Sequence, residues 1–367
     1  TIVISDVVEN CDDIYLLFNQ VKEILSDNGK LIVTSVNSKW NILISIFEKL
    51  NLKEPNETQS YIHTKKIRNI AEGAGFEFIN SYTRQIFPFK LLTLGNFLNT
   101  ILEALFSYLN FGIKSYIVLR KTGFTKNNYS KSIIIPAKNE EGNLEPLISR
   151  IPRNNEYEIV LSCGDSKDKT LEVANKIKNK ENYFSIKVIE QTGNGKANAV
   201  WEALEKCTGE VIAILDADIS VEPETIDDFF EIIDKNYGDF VNGTRLIYEI
   251  EKGSMRFINL IGNRLFQNIV GAIAKRPITD SLCGTKVFKR DLVEKIKWWQ
   301  NTFKMKDPFG DFDLLFTASY FSEKIIEYPI HYKTRTYGKT QISRFRDGYK
   351  LIRYLFKSFL IFNSSKN

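Results

Sequence analysis

The chain has 367 residues, enough for two domains with separate cores, and its apolar fraction of 43% excludes a disordered protein. Its net charge of +5 is too small to indicate, by charge alone, a nucleic-acid-binding protein. The four cysteines are scattered without CxxC spacing, so they predict neither a zinc site nor a disulfide framework, and they favour a reducing, cytoplasmic setting.

The first 121 residues alternate between strand-like and helix-like segments. Predicted strands cover residues 2–5 and 31–34, and predicted helices cover 14–25 and 40–50. Because the chain starts at Thr1 and enters a strand at once, we expect its natural N-terminus to be missing. The most apolar segment, residues 98–119, is interrupted by charged and polar side chains, so it predicts no membrane span.

Three segments of this first unit resemble the C-terminal half of a class I S-adenosylmethionine-dependent methyltransferase. They are ISDVVENCDD at 4–13, LSDNGKLIVTSVNS at 25–38 and AEGAGFEFI at 71–79. The family's glycine-rich first turn and its ribose-binding acid would lie before Thr1. The resemblance therefore implies an incomplete, Rossmann-like methyltransferase unit over residues 1–121 that carries out no methyl transfer.

A second α/β pattern starts at Ser132, after a polar segment at 122–131 that is typical of a linker. Strand-like and helix-like segments alternate again, which predicts a mostly parallel sheet with its ligands at the carboxyl ends of the strands. Three candidate loops lie at such ends, and we expect them to converge on one edge. They are PAKNE at 136–140, GDSKD at 164–168 and DAD at 216–218.

The DAD loop follows the continuously apolar run VIAIL, which is typical of a buried parallel strand. In an extended backbone alternate side chains point to the same face, so Asp216 and Asp218 are predicted to lie together. Two carboxylates at the edge of an α/β sheet suit a hard divalent cation that carries a phosphorylated substrate. A solvated turn is the simpler interpretation of a single DxD, and the other loops decide against it.

Residues 132–350 resemble a family 2 glycosyltransferase of the GT-A fold, in the branch of polyprenyl-phosphate sugar transferases such as dolichyl-phosphate mannose synthase. The segments that carry the resemblance are IIIPAKNEEGNL at 133–144, GDSKDKT at 164–170, GNGKANAV at 193–200, ILDADISVEPE at 214–224, NGTR at 242–245, DSLCGTKVFKR at 280–290, DPFGDFDLLF at 307–316 and RTYGKTQISRF at 335–345. The resemblance implies two Rossmann-like α/β units in this chain, the second being a nucleotide-sugar-binding domain.

The resemblance also implies how the donor is held. Asp216 and Asp218 would bind Mg²⁺ or Mn²⁺ against the donor diphosphate. The nucleoside would contact Pro136, Ala137, Glu140 and Asp168, and Lys196 would reach the nucleotide. Ser162 and Cys163 stand where the family commonly has two acids, so the choice between uridine and guanosine stays open.

Two further groups of residues complete the predicted site. Arg245, Arg335 and Lys339 are expected to contact phosphates, since a guanidinium suits bidentate phosphate binding. Asp311 and Asp313 occupy the position of the acidic pair of inverting transferases. With a hydroxyl acceptor Asp311 would be the general base, whereas an ionised lipid phosphate needs none. A helix N-cap is the alternative role for either aspartate.

Basic residues recur at helical spacing near the C-terminus, at Arg346, Lys350, Arg353 and Lys357. This stripe predicts either contact with an anionic membrane surface or a solvated face of a helix packed on the core. The predicted domains are thus the methyltransferase-like unit at 1–121, the linker at 122–131, the GT-A domain at 132–345 and a basic amphipathic helix at 346–367.

Together these patterns predict an inverting, metal-dependent glycosyltransferase that moves a sugar from a nucleotide-diphosphate donor to a polyprenyl phosphate or a related acceptor. A glycan hydroxyl as acceptor stays open, as does a non-catalytic scaffold with a degenerate methyltransferase unit. We expect a cytoplasmic protein, in peripheral contact with the inner face of a membrane and without a nucleic-acid partner.

Overall fold

The computed structural model divides the chain into two compact units. Unit 1 comprises Thr1–Gly123 and Phe359–Asn367, and unit 2 comprises Phe124–Ser358. The structure describes residues 1–11, 13–52, 54, 62–87, 98–99, 101–103, 110–122, 127–246, 257–276, 278–305, 307, 309–335, 337 and 344–363. Within these residues no helix combines the length and the apolar character that a bilayer crossing requires.

Unit 1 contains a four-stranded sheet in the order β1-β2-β4-β3, with β1 and β2 parallel and β4 antiparallel to both of its neighbours. Its described elements are β1 (Ile2–Ser5), α1 (Ile14–Ile24), β2 (Lys30–Val36), a 3₁₀ turn (Ser38–Trp40), α2 (Asn41–Lys49), α3 (Thr64–Gly73), β3 (Phe76–Arg84) and β4 (Lys114–Lys121). Asp13 begins α1 as an N-cap, since its side chain accepts the Leu16 N–H at 2.9 Å. Phe18 of α1 is buried against Phe76 of β3.

Unit 2 contains a seven-stranded sheet in the order β11-β9-β10-β8-β5-β6-β7. Its strands are β5 (Lys131–Ala137), β6 (Tyr157–Cys163), β7 (Ser185–Glu190), β8 (Val211–Ile214), β9 (Phe240–Thr244), β10 (Lys286–Lys289) and β11 (Ile325–Pro329). All neighbours are parallel except β10, which is antiparallel to both β8 and β9. The expectation of a mostly parallel α/β sheet is therefore confirmed.

The helices of unit 2 follow the strands in alternation. They are α4 (Glu141–Arg150), α5 (Thr170–Lys180), α6 (Lys196–Lys206), a 3₁₀ turn (Pro223–Thr225), α7 (Ile226–Asp234), α8 (Phe257–Ala274), α9 (Asp291–Phe303), α10 (Asp311–Tyr320) and α11 (Arg344–Asn363), whose last residues belong to unit 1. The sheet centre is apolar on both faces, as Ile133, Ile134 and Ile135 of β5 are wholly buried.

Strand register sets where the candidate loops lie. Pro136 and Ala137 at the end of β5 pair with Ser162 and Cys163 at the end of β6. Ile134 of β5 pairs with the last residue of β8, so the chain leaves all three strands at the same edge. The loops after β5, β6 and β8 therefore converge there, as the alternation predicts.

Candidate active site

The DAD loop leaves β8 at this edge with its two aspartates held differently. Asp218 is buried, and its Oδ1 accepts the backbone N–H of Ser220 at 3.0 Å and the Ser220 hydroxyl at 2.6 Å. This local turn fixes the Asp218 carboxylate. Asp216 is more exposed, with 29% of its side chain accessible.

Each of these aspartates is paired with a side-chain cation. Lys196 Nζ lies 2.6 Å from Asp216 Oδ1, and Arg335 Nη2 lies 2.6 Å from Asp218 Oδ2. Burial opposes ionisation of Asp216, but Lys196 beside it holds the pKa of its carboxyl below the ordinary range. Burial likewise opposes the charge on Lys196, while Asp216 and Asp311 raise its pKa. The structure thus brings four of the predicted residues into two ion pairs.

Gly284 lies against the pair of Asp216 and Lys196. A Cβ atom at this position would stand 2.2 Å from Asp216 Oδ2 and 2.4 Å from Lys196 Nζ, far inside van der Waals contact. Any larger residue here would push the charged ends of Asp216 and Lys196 aside. No local pattern in the sequence marks Gly284, because only tertiary structure brings the turn before β10 next to the DAD loop.

A third predicted residue, Arg245, forms a bidentate ion pair with Asp280. Its Nε and Nη2 lie 2.6 and 2.9 Å from the two carboxylate oxygens, and its backbone N–H donates to Oδ2 at 3.1 Å. The Asp280 side chain is wholly buried. Burial opposes the charge of Asp280, but the guanidinium of Arg245 lowers the pKa of its carboxyl. Asp280 is a site residue that sequence reasoning missed.

A fourth ion pair joins Asp311, the first residue of α10, to Lys286 of β10. Lys286 Nζ lies 3.4 Å from Asp311 Oδ1 and also donates to the carbonyl of Cys283. The Lys286 side chain is wholly buried, which is rare for lysine unless it is paired. The signal available in the sequence is a lysine at the start of the short apolar strand KVFK.

Asp313 occupies a different environment from Asp311. Its carboxylate is wholly buried and accepts the Gln300 amide at 2.7 Å, the Asp307 N–H at 3.1 Å and the Tyr354 hydroxyl. These partners come from α9, the segment before α10 and α11. The placement suits a structural anchor for the start of α10, whereas Asp311 is paired toward the DAD loop.

Asp307, which sequence reasoning also missed, caps the same helix. Its two carboxylate oxygens accept the N–H groups of Phe309 at 3.2 Å and Phe312 at 2.8 Å. Burial raises the pKa of Asp307 to about 7, and the neighbouring carboxylates of Asp311 and Asp313 add to the effect. Three acids therefore lie around one helix N-terminus.

Glu140 and Asp168 lie in the loops after β5 and β6. Burial raises the pKa of Glu140 to about 7, and the negative charge of Asp218 also raises it. The hydrogen bond from the Asn143 amide acts in the opposite direction and lowers this pKa. Asp168 accepts the N–H groups of Glu141 at 3.2 Å and Thr170 at 3.1 Å, so it ties the two loops together. The bond to the Glu141 N–H holds Asp168 at the first residue of α4.

The remaining predicted donor residues have distinct positions. Pro136 is half-buried at the end of β5, whereas Ala137 is 2% exposed and packs in the core of unit 2. Arg335 follows β11 on a segment that crosses the DAD loop, where Lys333 N–H donates to the Ser220 carbonyl at 3.0 Å. Lys339 lies outside the described residues.

The donor set fits a hard divalent cation. Asp216 and Asp218 offer carboxylate oxygens at one sheet edge, and Mg²⁺ is commonly held by one or two protein carboxylates together with substrate phosphates. No group of three or more His, Cys, Asp or Glu with metal-binding geometry occurs among the residues the structure describes. Asp216 and Asp218 are thus the described carboxylates that would hold such an ion, and a substrate would supply further ligands.

An α/β sheet with charged loops at the carboxyl ends of its parallel strands is the architecture of nucleotide-binding domains. Residues 132–297 match the model of the Glycosyl transferase family 2. This match lies within unit 2, and the family 2 resemblance expected from the sequence is confirmed. The methyltransferase-like nature of unit 1 stays a prediction.

Curated relatives match about three fifths of this chain. A dolichol-phosphate mannosyltransferase of Pyrococcus furiosus is 31% identical over 232 residues, covering 61% of each chain. The low-salt glycan biosynthesis hexosyltransferase Agl6 of Haloferax volcanii is 28% identical, covering 61% of this chain and 52% of its own. A dolichyl-phosphate hexose transferase of the same organism is 27% identical, covering 59% of this chain and 88% of its own. The chain thus spans about half to three fifths of the first two relatives.

Solved structures are similar over 65% of this chain. Glucosyl-3-phosphoglycerate synthase from Mycobacterium tuberculosis, in complex with Mn²⁺, uridine diphosphate and phosphoglyceric acid, is 16% identical with a TM-score of 0.47 and 80% of its chain covered. The S. aureus TarS fragment 1–349 in complex with UDP-GlcNAc is 19% identical with a TM-score of 0.43 and 68% covered.

Proposed function

We propose that the chain is an inverting, metal-dependent glycosyltransferase that transfers a sugar from a nucleotide-diphosphate donor to a polyprenyl phosphate or a related lipid acceptor. The observation that carries the proposal is the set of charged residues at the carboxyl edge of a family 2 domain, above all the DAD aspartates beside Lys196 and Arg335. Two of the curated relatives are named as dolichol- or dolichyl-phosphate sugar transferases, which supports a lipid phosphate as acceptor.

In this proposal Asp218, with Asp216, holds Mg²⁺ or Mn²⁺. When bound, the ion offsets the negative charge that grows on the diphosphate as it leaves. Lys196 and Arg335 lie beside the same carboxylates and would contact the diphosphate, and Lys339 is assigned the same role from sequence. Arg245 contributes positive charge near Asp216, while its guanidinium group remains hydrogen-bonded to the Asp280 carboxylate.

The nucleoside is assigned to the loops after β5 and β6. Glu140 and Asp168 are the polar candidates, and Pro136 is the half-buried apolar one. Ala137 packs in the core, so we propose that it shapes this pocket through its backbone. The carbonyl of Ala137 accepts the Gly164 N–H at 2.9 Å, which fixes the distance between the two loops.

Asp311 is the proposed general base when the acceptor is a hydroxyl. It would take the proton as the acceptor oxygen bonds to the anomeric carbon and the bond from that carbon to the diphosphate breaks. An ionised lipid phosphate would attack without a base, and Asp311 would then position the sugar. Asp313 is proposed to support α10, because three hydrogen-bond donors already occupy its buried carboxylate.

The outer face of α11 supports peripheral contact with an anionic membrane at its cytoplasmic side. Leu351 and Leu355 are buried, so the helix already has an inner apolar face. Its outward residues combine exposed apolar and basic side chains at helical spacing. They are Tyr349, Lys350, Ile352, Arg353 and Phe356. A surface of this composition is typical of helices that lie in a membrane interface.

Vesicle flotation tests this contact separately from catalysis. The chain should float with vesicles that contain phosphatidylserine. It should not float with neutral phosphatidylcholine vesicles. Ile352→Ser with Phe356→Ser should reduce flotation about tenfold or more, because two exposed apolar side chains leave the interface. Equal flotation of the double variant would contradict this part of the proposal.

The acceptor class is tested by transfer of radiolabelled sugar from a panel of UDP- and GDP-sugars, with Mn²⁺ present. Label entering the organic phase only when polyprenyl phosphate is added supports the lipid-phosphate acceptor. Label entering a soluble oligosaccharide instead assigns a glycan hydroxyl, and Asp311→Asn should then abolish transfer. If no donor in the panel is consumed with either acceptor, the chain is a non-catalytic protein and the proposal is wrong.

A further inference from the structure

Among the described residues of the site, four carboxylates are each paired with one side-chain cation. The pairs are Asp216 with Lys196, Asp218 with Arg335, Asp280 with Arg245 and Asp311 with Lys286. The formal charges of these eight groups cancel. A ligand that enters therefore meets carboxylates that are already neutralised, and to bind one of them it has to displace a cation.

Exposure divides these pairs into two kinds. The side chains of Lys196 and Arg335 are 26% and 32% exposed, and each makes a single contact with its aspartate below 3 Å. Arg245 instead donates hydrogen bonds to the Asp280 carboxylate from two guanidinium nitrogens and from its backbone N–H. Lys286 is wholly buried. Solvent and ligands thus reach the cations of the first two pairs, whereas the cations of the other two are built into the fold.

Charge balance then favours joint binding over single binding. A divalent cation alone would displace Lys196 and Arg335 from their aspartates and leave both side-chain cations without a carboxylate partner. A nucleoside diphosphate alone would draw the same two cations away and leave the aspartates unpaired. With both ligands present, Asp216 and Asp218 would hold the ion while Lys196 and Arg335 would contact the diphosphate, so each of these charges would keep a partner.

We propose that Lys196 and Arg335 are exchange residues that block the DAD carboxylates until a nucleoside diphosphate arrives, so that the divalent ion binds tightly only with the nucleotide. This inference rests on the proposed function and adds a binding order to it. Arg245 and Lys286 stay with their aspartates throughout, because their pairs are buried.

Manganese binding to the full chain tests the exchange. Free Mn²⁺ is measured by electron paramagnetic resonance, without nucleotide and with saturating UDP or GDP. For the wild type the Kd for Mn²⁺ should fall at least tenfold when the nucleotide that binds is present, within the usual range of coupling between two ligands. The signal of free Mn²⁺ does not depend on turnover.

Lys196→Gln and Arg335→Gln are the decisive variants. Each removes a competitor for a DAD carboxylate, so Mn²⁺ without nucleotide should bind about 1.5- to 5-fold more tightly than to the wild type, the range expected for one partly exposed ion pair. The tightening caused by nucleotide should shrink by a similar factor. Lys333→Gln is the matched control, since it breaks an exposed pair with Glu222 and should leave both values unchanged.

The outcomes separate the exchange from the function. If the wild type transfers sugar but binds Mn²⁺ equally well with and without nucleotide, the exchange is wrong and the function stands. If both glutamine variants keep their thermal unfolding midpoints but bind Mn²⁺ no more tightly than the wild type, the exchange is also wrong. If neither UDP nor GDP binds with Mn²⁺, the proposed function itself fails, and the exchange with it.

Discussion

Asp307 should make the free energy of unfolding of this protein fall as the pH rises, and a single substitution of Asp307 should remove that dependence. Its carboxyl is 2% exposed, accepts the N–H of Phe312 in α10 and that of Phe309 just before it, and lies near the carboxylates of Asp311 and Asp313. Burial is the main reason that its pKa rises to about 7 from an ordinary value of 3.8. The proposed perturbation is Asp307→Asn, which keeps the shape and removes the titration.

The sign follows from proton binding. Between these two pKa values the folded chain holds a proton that the unfolded chain has released, so the contribution of Asp307 to stability is complete below about pH 4 and is lost as the pH rises through about 7. Between pH 5 and pH 8 the loss amounts to about 2.5 kcal/mol, from about 1.36 kcal/mol per pH unit over the titrating part of that range. The asparagine introduced by the substitution would not titrate and would accept only one of the two N–H groups, which costs about 1–3 kcal/mol at every pH.

Urea unfolding at pH 5 and pH 8 measures this difference. Tryptophan fluorescence is a suitable signal, because three of the four tryptophans, Trp201, Trp298 and Trp299, belong to unit 2. The free energy of unfolding of Asp307→Asn relative to the wild type should rise by about 2.5 kcal/mol from pH 5 to pH 8. Glu140 titrates in both proteins and cancels in the comparison. If the free energy of unfolding of Asp307→Asn differs from that of the wild type by the same amount at both pH values, the reasoning is refuted.

Two substitutions test the packing of the ion pairs. Gly284→Ala should weaken the binding of UDP or GDP with Mn²⁺ by about tenfold or more, as measured by calorimetry. The reason is that the added Cβ would stand 2.2 Å from Asp216 Oδ2. Gly348→Ala is the control, because a Cβ at that position meets nothing within 4 Å. Arg245→Gln should lower the free energy of unfolding by about 3 kcal/mol in urea, since it leaves the buried Asp280 without its guanidinium. A loss below about 1 kcal/mol would mean that water reaches Asp280.

Sequence patterns predict the regular part of the fold well. The apolar run before Asp216 is a buried strand in the structure, and the loops after β5, β6 and β8 share one edge because parallel strands joined by helices direct their carboxyl ends the same way. The spacing of Asp216 and Asp218 also places both on the same loop, where each meets a cation.

Pairing partners are what the patterns do not predict. The strand β10 is inserted antiparallel between β8 and β9, and it brings Lys286 and the turn with Gly284 next to the DAD loop. Nothing local in KVFK specifies that insertion. Asp280 and Asp307 are missed for the same reason, since their roles depend on groups that only the folded chain brings near.

The roles of Asp311 and Asp313 show this limit within a single motif. Both aspartates lie in the first turn of α10, and the sequence assigns them as a catalytic pair. The helix turns them toward different surroundings, so Asp311 meets Lys286 while Asp313 meets the Tyr354 hydroxyl. Helical periodicity predicts that the two side chains diverge, but it does not predict which of them points to the site.

The central claim is that the DAD aspartates serve the cleavage of a nucleotide sugar. The most direct measurement is the release of nucleoside diphosphate from UDP- and GDP-sugars, with Mn²⁺ and lipid acceptor present, by the wild type and by Asp218→Asn. The wild type should release product from at least one donor, and Asp218→Asn should be slower by about 100-fold or more, since it weakens the stabilisation of the leaving group. Equal rates for the two proteins would contradict the account.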